Sequence, residues 1–202
     1  MKAFHTGIAL LLFAFTATAT AMAADDVNSG RWFIGIGGGQ SSLRGACSYA
    51  DSLSPPATCD DESVAAKVIA GTQVYKYTML EFSYIDAGEA NLVQSAAPTG
   101  TLDVNPRLFN LFLNIEVPLG FEGRLGLSGK LGMTYYDTEY IRTGSFLNLP
   151  ASEDGVSGAI GAGISWRGWK HVSMRAEWEH FNDVTIDKGD LDLVTASVWF
   201  HF

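Results

Sequence analysis

Residues 194–202 read VTASVWFHF, and this stretch decides the fold because apolar side chains recur at every second position. Side chains of a β-strand point alternately to its two faces, so one face here is continuously apolar and the other is mixed. The apolar face comprises Val194, Ala196, Val198, Phe200 and Phe202. Such a strand is typical of a barrel that closes in lipid, because an open sheet edge cannot exist in hydrocarbon.

Seven earlier segments alternate in the same way. The eight predicted strands span residues 31–41, 63–74, 78–87, 105–117, 124–138, 155–167, 171–181 and 191–202. The connections are alternately long (42–62, 88–104, 139–154, 182–190) and short (75–77, 118–123, 168–170). An even strand number with long external loops and tight periplasmic turns is the pattern of outer-membrane barrels. We therefore predict an all-β fold, an eight-stranded antiparallel transmembrane β-barrel.

A soluble lipocalin-like barrel is the main alternative fold. Its apolar faces would point inward, whereas a membrane barrel keeps charges inside, because Arg or Lys facing hydrocarbon near the midplane costs about 2–4 kcal/mol. Aromatic residues also gather near the predicted strand ends, with Trp169 at a periplasmic turn and Tyr140 and Phe181 near the outer rim. Amphipathic rings prefer the membrane interface, so these positions predict two aromatic belts.

The first 23 residues have the organisation of a secretory signal peptide. Lys2 is the only charge before Asp25, residues 7–15 form a short apolar core, and Ala21-Met-Ala23 is a small-x-small cleavage site. The core is too short for a spanning helix of about 20 apolar residues, although a retained N-terminal anchor is the alternative. We expect cleavage near Ala23, with residues 24–202 forming the barrel domain in the outer membrane of a Gram-negative cell.

Charge and cysteine content exclude some classes of partner. The net charge of −9 argues against nucleic acid as a partner. Cys47 and Cys59 are the only cysteines, and an oxidising export compartment favours a disulfide between them. A small loop closed in this way contributes about 3 kcal/mol in the chain-entropy model. Two cysteines without a nearby histidine are too few ligands for a metal site, so we predict neither metal nor cofactor.

Seven charged side chains fall on the predicted inward faces of the strands. They are Lys67, Glu81, Glu116, Lys130, Arg175, Glu177 and Glu179. An eight-stranded barrel has an interior just wide enough for side chains, so these charges are expected to form an ion-pair network that includes Glu81, Lys130 and Arg175. The network is interpreted as a plug that stabilises the wall, and a gate that passes small ions is the alternative.

An enzymatic site is less well supported. Ser173 shares a strand face with His171, as Ser197 does with His201, and a nucleophile must lie within hydrogen-bonding reach of its base. Neither pair has an evident third group to orient the histidine at the outer leaflet, where lipid A lies. We therefore predict no catalytic residues. The acidic loops are expected to be solvated, with divalent cations held against lipopolysaccharide phosphates as the alternative.

Several motifs resemble one family over nearly the whole mature chain. They are Cys59-Asp-Asp61, KVIAGTQV (67–74), LEFSYIDAG (80–88), PLG (118–120), GKLG (129–132), YDTE (136–139) and MRAEWE (174–179). In order and spacing they resemble OmpA-like barrels. The resemblance implies an eight-stranded outer-membrane barrel with paired charges inside. It implies outer-membrane lipid, lipopolysaccharide and the outer-membrane assembly machinery as partners. Larger members carry a peptidoglycan-binding domain after the barrel, which is not expected here.

The fold does not by itself choose a function. We predict a structural role in envelope integrity with surface contact. One alternative is a small or gated porin-like channel for ions and small solutes. The other is an adhesin that binds a host or surface ligand through the loops at 42–62 and 88–104, because loops on a rigid scaffold carry binding specificity.

Overall fold

The computed structural model describes residues 32–44, 47, 51, 57–95, 99–119, 124–146, 150–185 and 189–202. The segment predicted as a signal peptide lies outside these residues. Within them, no helix has the length and apolar character needed to cross a membrane.

The described residues form ten strands and a short 3-10 helix at Gly144–Phe146. The strands are β1 (Trp32–Leu43), β2 (Thr58–Asp60), β3 (Glu62–Tyr75), β4 (Thr78–Asp86), β5 (Ala90–Gln94), β6 (Gly100–Pro118), β7 (Leu125–Arg142), β8 (Ser152–Trp166), β9 (Val172–Thr185) and β10 (Gly189–His201). β3 pairs with β4, and β2 pairs with β5 in the same way. β2 and β3 therefore form one interrupted strand of the wall, and β4 and β5 form the next. Counted in this way, the wall has eight antiparallel strands, as predicted.

The barrel closes where β1 pairs with β10, for example Ile36 with Val198. Directly paired residues can be followed from Asp154 on β8 through β7, β6, β4, β3, β1, β10 and β9. This circuit returns to β8 at Ile164, ten positions further along the same strand. A fixed stagger of this kind tilts the strands against the axis and sets the barrel width.

One end of the barrel carries the short turns β3–β4, β6–β7 and β8–β9 together with Trp32 and Phe202, whose backbones are hydrogen-bonded at 2.9 Å. We call this the periplasmic end and the opposite one the outer end. Around the periplasmic half of the wall, the outward side chains are apolar and exposed, as at Ile36, Leu131 and Val194. Their sequence neighbours point inward, which confirms the predicted sorting of faces.

The alternation reverses toward the outer end, and β6 shows the change within one strand. Its outward residues are apolar from Phe109 to Val117 and polar from Thr101 to Arg107, while inward Leu102, Val104 and Leu108 are fully buried. An apolar outer surface suits lipid, whereas a polar surface over an apolar core suits water. The outer ends of the strands therefore stand above the lipid. We call β2, β5, residues 100–107 of β6, 137–142 of β7 and 152–155 of β8 the collar.

All four predicted long loops contain strand residues. Segment 88–104 contains β5 and the start of β6, segment 42–62 contains the end of β1 and β2, segment 139–154 contains the end of β7 and the start of β8, and segment 182–190 contains the end of β9 and the start of β10. The predicted strands followed an apolar outward face, and they ended where that face became polar although the ladders continued. Strand length was thus underestimated wherever the solvent outside the wall changes from lipid to water.

The interior of the outer half is filled by an apolar plug. Its buried side chains are Leu43, Ala57, Ala65, Ile85, Ala87, Ala90, Leu92, Leu102, Val104, Leu108, Phe112, Tyr140, Phe146, Ala159, Phe181, Val184, Leu191 and Leu193. Phe112 and Phe181 meet edge to face, with ring centroids 6.3 Å apart. Tyr140 and Phe181 were predicted in the outer aromatic belt, and that prediction is wrong because both rings point into the lumen.

The end of β9 leans over this plug. β8 and β9 are paired only from Ala159 and Phe181 toward the periplasmic end. Beyond that point Asp183 has φ 48°, a left-handed conformation that Asp tolerates better than most residues. The backbone carbonyl of Val184 then accepts a hydrogen bond from Thr138 Oγ1 at 3.0 Å, and the Val184 side chain is buried. The end of β9 therefore turns inward, toward β7 and the plug.

Candidate functional site in the barrel interior

The seven charged residues singled out in the sequence all point into the lumen, below the apolar plug. Five strands supply them: β3 carries Lys67, β4 Glu81, β6 Glu116, β7 Lys130, and β9 carries Arg175, Glu177 and Glu179. Each is at most 5% exposed. Their burial follows from strand parity, because each lies between two outward residues that face lipid.

Two lysines and three glutamates form the central cluster. Lys67 Nζ lies 2.8 Å from a carboxylate oxygen of Glu179 and 3.3 Å from one of Glu177. Lys130 Nζ lies 2.7 Å from Glu177, 2.8 Å from Glu81 and 3.2 Å from Glu179. Each ammonium group thus bridges several strands, and each carboxylate has at least one cation within hydrogen-bonding distance. Such multiple pairing is what allows charges to remain ionised when they are removed from water.

A second cluster lies nearer the periplasmic end. Arg175 Nη2 lies 2.6 Å from Glu116, and Arg167 Nη2 lies 2.5 Å from the other oxygen of the same carboxylate. Arg175 also stacks on Trp199, 3.7 Å from the ring centre, and Trp199 stacks on Phe33. Only a 4.0 Å approach to Glu177 connects Arg175 to the central cluster. The expected grouping of Glu81, Lys130 and Arg175 is therefore direct for the first two and indirect for Arg175.

Inward glycines make room for these side chains. A Cβ atom on Gly163 would lie 2.9 Å from Glu177 Cγ and 2.9 Å from the carbonyl oxygen of Ala176. A Cβ atom on Gly126 would lie 2.6 Å from Ser165 Oγ and 2.9 Å from a carboxylate oxygen of Glu116. These contacts are closer than packed atoms tolerate, so a larger residue at either position would have to displace its neighbours, a glutamate among them.

The carboxylates of Glu81, Glu177 and Glu179 offer oxygens that all lie within 4.8 Å of one another. Three such oxygens could in principle coordinate a hard cation. Here the ammonium groups of Lys67 and Lys130 lie among them and supply the positive charge. The arrangement is therefore a network of organic ion pairs within a packed wall.

The two Ser–His pairs considered in the sequence, Ser173 with His171 and Ser197 with His201, are not hydrogen-bonded to each other among the contacts of the described residues. Ser173 Oγ is hydrogen-bonded to His201 Nε2 at 2.8 Å across β9 and β10, while His171 Nδ1 lies 3.1 Å from the carbonyl oxygen of His201. Ser197 Oγ accepts a hydrogen bond from Trp199 Nε1 at 2.8 Å. Strand register, not spacing along one strand, therefore decides which of these groups meet. The Ser173–His201 pair lies at the periplasmic end, away from the outer leaflet.

Cys47 and Cys59 are joined by a disulfide with a Cα–Cα distance of 5.4 Å, as predicted. The bond ties Cys47 to β2, at the outer end of the collar. It therefore braces a segment that lies outside the lipid.

Residues 27–202 match the family described as the OmpA-like transmembrane domain. This chain belongs to that family. No curated protein sequence matches the chain. The family description and the solved structures below are of outer-membrane barrels, and none of their names states an enzymatic activity.

Solved structures resemble this OmpA-like barrel in fold. Ail, the attachment invasion locus protein of Yersinia pestis, superimposes with a TM-score of 0.54 at 14% identity, over 86% of this chain and 99% of Ail. Neisserial surface protein A gives 0.53 at 11% identity, over 86% and 99%. The N-terminal β-barrel domain of Pseudomonas aeruginosa OprF gives 0.51 at 13% identity, over 84% and 97%. At such identities the likeness concerns the fold alone.

Arg167 is the site residue of this OmpA-like barrel that sequence reasoning missed. The seven predicted residues carry three positive and four negative charges, and Arg167 makes the two numbers equal. It follows β8 directly, and its side chain turns back into the mouth although about half of it is exposed. The unequal charge of the predicted set is the one signal in the sequence that pointed to a further cation.

Proposed function

We propose that this OmpA-like barrel is a structural outer-membrane protein with a closed interior and a collar that makes surface contact. One observation carries the proposal: three successive layers fill the lumen. The apolar plug lies at the outer end, the ion pairs lie in the middle, and Phe33, Ile69, Met79 and Trp199 pack together toward the periplasmic end. A lumen filled in this way stabilises the wall from inside.

The chemistry of the layers favours a plug over a gate. A gate must break ion pairs and leave charges without partners, and removing one partner from a buried pair typically costs about 3–5 kcal/mol. Lys130 would lose contacts with three carboxylates at once. A passing ion would also have to cross the plug around Phe112 and Phe181, whose apolar side chains cannot replace its hydration shell.

Conductance tests the closed interior. The purified protein in planar bilayers should give no opening steps, and Arg175→Ala should leave that result unchanged. Phe112→Ala serves as a second variant, since it thins the plug and removes no member of an ion pair, although its ring centre lies 5.5 Å from Lys130 Nζ; it should also leave the bilayer without opening steps. Discrete openings in the wild type, removed or enlarged by Arg175→Ala, would support the channel alternative instead.

The collar favours surface contact as a second role. Its outward face carries Asp103, Asp137 and Asp154 on three adjacent strands, with Asp137 directly opposite Asp154. The solved Ail structure contains the heparin analogue sucrose octasulfate, a polyanion. The acidic collar of the present chain would repel a ligand of that charge, so the proposed partner is a cationic surface or a surface bridged by divalent cations.

Adhesion of whole cells tests the collar. A triple variant, Asp103→Asn, Asp137→Asn and Asp154→Asn, should reduce binding to a polylysine-coated surface, and the loss should shrink as salt rises. The matched control changes neutral collar residues, Asn91→Ser and Asn105→Ser. Equal binding by the two variants would reject an electrostatic role for the collar.

Export and assembly belong to the same proposal. We propose that cleavage near Ala23 releases residues 24–202 and that the outer-membrane assembly machinery inserts the barrel. The apolar face of the last strand supports this, because it must leave water when the sheet closes. Mass measurement of the protein extracted from outer membranes tests the cleavage, and a mass that retains residues 1–23 would contradict it.

A further inference from the structure

A recess opens at the periplasmic mouth of the barrel, below the layer of Phe33 and Met79. Phe33 and Met79 form part of its lining, and Gln73, Trp169, Ser173 and His201 contribute to the walls. Two cationic residues, Arg167 and Lys170, complete the rim on the β8–β9 turn. The recess thus combines an apolar base with polar walls and a positively charged edge.

The described lining of the recess carries charge of one sign. None of the described residues that line it is acidic. Glu116 lies behind Arg167 and is already paired with Arg175 at 2.6 Å. If Arg167 turned toward a ligand, Glu116 would keep Arg175 as its partner, so no buried carboxylate would be left alone. Lys170 makes no ion pair or hydrogen bond to any residue that the structure describes.

Hydrogen-bond donors converge on the same space. Ser173 Oγ and His201 Nε2 are 2.8 Å apart, and the Ser173 side chain is buried. Arg175, also buried, contacts the recess lining through Met79, since its Nη2 lies 3.5 Å from Met79 Sδ. Its Nε and Nη1 have no hydrogen-bond acceptor among the described residues, but Arg175 is not one of the residues that line the recess. The described lining itself therefore offers a hydroxyl and an imidazole beside the two cations of the rim.

We infer that this recess binds a phosphate-bearing group presented from the periplasmic side. A phosphate offers the acceptor oxygens and negative charge that Lys170, Arg167 and the Ser173–His201 pair can match together. Phe33 and Trp169 then pack against the carbon chain of the ester. Two sources carry this chemistry at that depth, a soluble phosphate ester and the headgroup of an inner-leaflet phospholipid.

Lys170→Gln is the variant that tests the site, and Lys76→Gln is its matched control. Both lysines are exposed on periplasmic turns, but only Lys170 lines the recess. The folded protein in a maltoside detergent is titrated with glycerol 3-phosphate at constant ionic strength, and tryptophan fluorescence reports binding. The same proteins in nanodiscs with phosphatidylglycerol are released into a mass spectrometer to count retained lipid.

Saturable binding is expected, weakened about tenfold in Lys170→Gln and changed less than about twofold in Lys76→Gln. His201→Gln should weaken this binding as well, because the imidazole lines the recess. A general electrostatic attraction of the ligand to the positively charged rim would not depend on His201. Dependence on Lys170 in the first assay assigns a soluble ester, and dependence in the nanodisc assay alone assigns a lipid headgroup. Equal losses in the two lysine variants, or no saturable binding of either probe, would overturn the inference.

Discussion

At the scale of the residue, the interior depends on each charge having more than one partner. Lys130 is the clearest case, because it contacts three carboxylates supplied by two strands. Neutralising it leaves Glu81, Glu177 and Glu179 with Lys67 as the remaining lysine of the cluster. A buried charge that loses its partner is far more costly than an exposed one.

Lys130→Met should therefore lower the free energy of unfolding by about 3–5 kcal/mol. Urea unfolding in lipid vesicles, followed by tryptophan fluorescence, measures the change. Arg107→Ala is the control, because the Arg107–Glu139 pair is 3.6 Å long and about half exposed, and such pairs contribute at most about 1 kcal/mol. Similar losses for both variants would show that the central cluster does not carry the stability.

A second residue-scale prediction concerns the glycines. Gly163→Ala should destabilise the barrel by about 1–3 kcal/mol, since the added methyl group meets Glu177 and the backbone of β9. Gly129→Ala should be neutral, because a Cβ atom there has no neighbour within 4 Å among the described residues. The same unfolding assay compares the two variants. If Gly163→Ala left the free energy of unfolding unchanged, the side chains around this position would be able to move aside for the added methyl group.

At the scale of the element, β6 faces lipid along one part of its length and water along the other. Its outward face is apolar around Leu113 and polar around Asn105, while its inward face carries Asn114 and Glu116 in the first region and Leu102 and Val104 in the second. Period-two alternation was sufficient to predict eight strands and the direction of nearly every side chain. It could not predict the strand ends in the collar, because the pattern there continues with its two faces exchanged.

Arginine substitutions on β6 test where lipid ends. Leu113→Arg should cost about 2–4 kcal/mol, as for a charge facing the middle of the bilayer. Asn105→Arg, eight positions away on the same face, should change stability by less than about 0.5 kcal/mol. Unfolding from vesicles gives both values. A large cost at Asn105 would place that position within the lipid and remove the distinction between wall and collar.

In the candidate site too, alternation along a strand predicted which way side chains point, but not which residues of neighbouring strands meet. Strand parity predicted the seven inward charges, since parity is a local property of the sequence. It did not predict that Arg175 pairs with Glu116, that Ser173 meets His201, or that Arg167 turns back into the mouth. Those contacts depend on the stagger between strands and on the conformation of a turn, which alternation along one strand does not encode.

At the scale of the whole molecule, closure of the sheet is the property that everything else requires. Within the lipid-facing half, each of the eight strands of the wall is hydrogen-bonded to a neighbour on both sides. Unfolding therefore has no free sheet edge from which to begin there. We expect the detergent-extracted protein to resist unfolding until it is heated. On a gel, the boiled and unboiled samples should migrate differently, and a single unshifted band would contradict a closed barrel.

The position of Arg167 makes the interior charges accessible from one end of the barrel and not from the other. Seven of the eight charged groups are sealed from the outer medium by the apolar plug, and the eighth stands in periplasmic water. Mobile ions on the cell-facing side can compete for Glu116, whereas the apolar plug separates those on the environmental side from it. The strength of the internal electrostatics should consequently follow the ionic composition of one compartment and ignore that of the other.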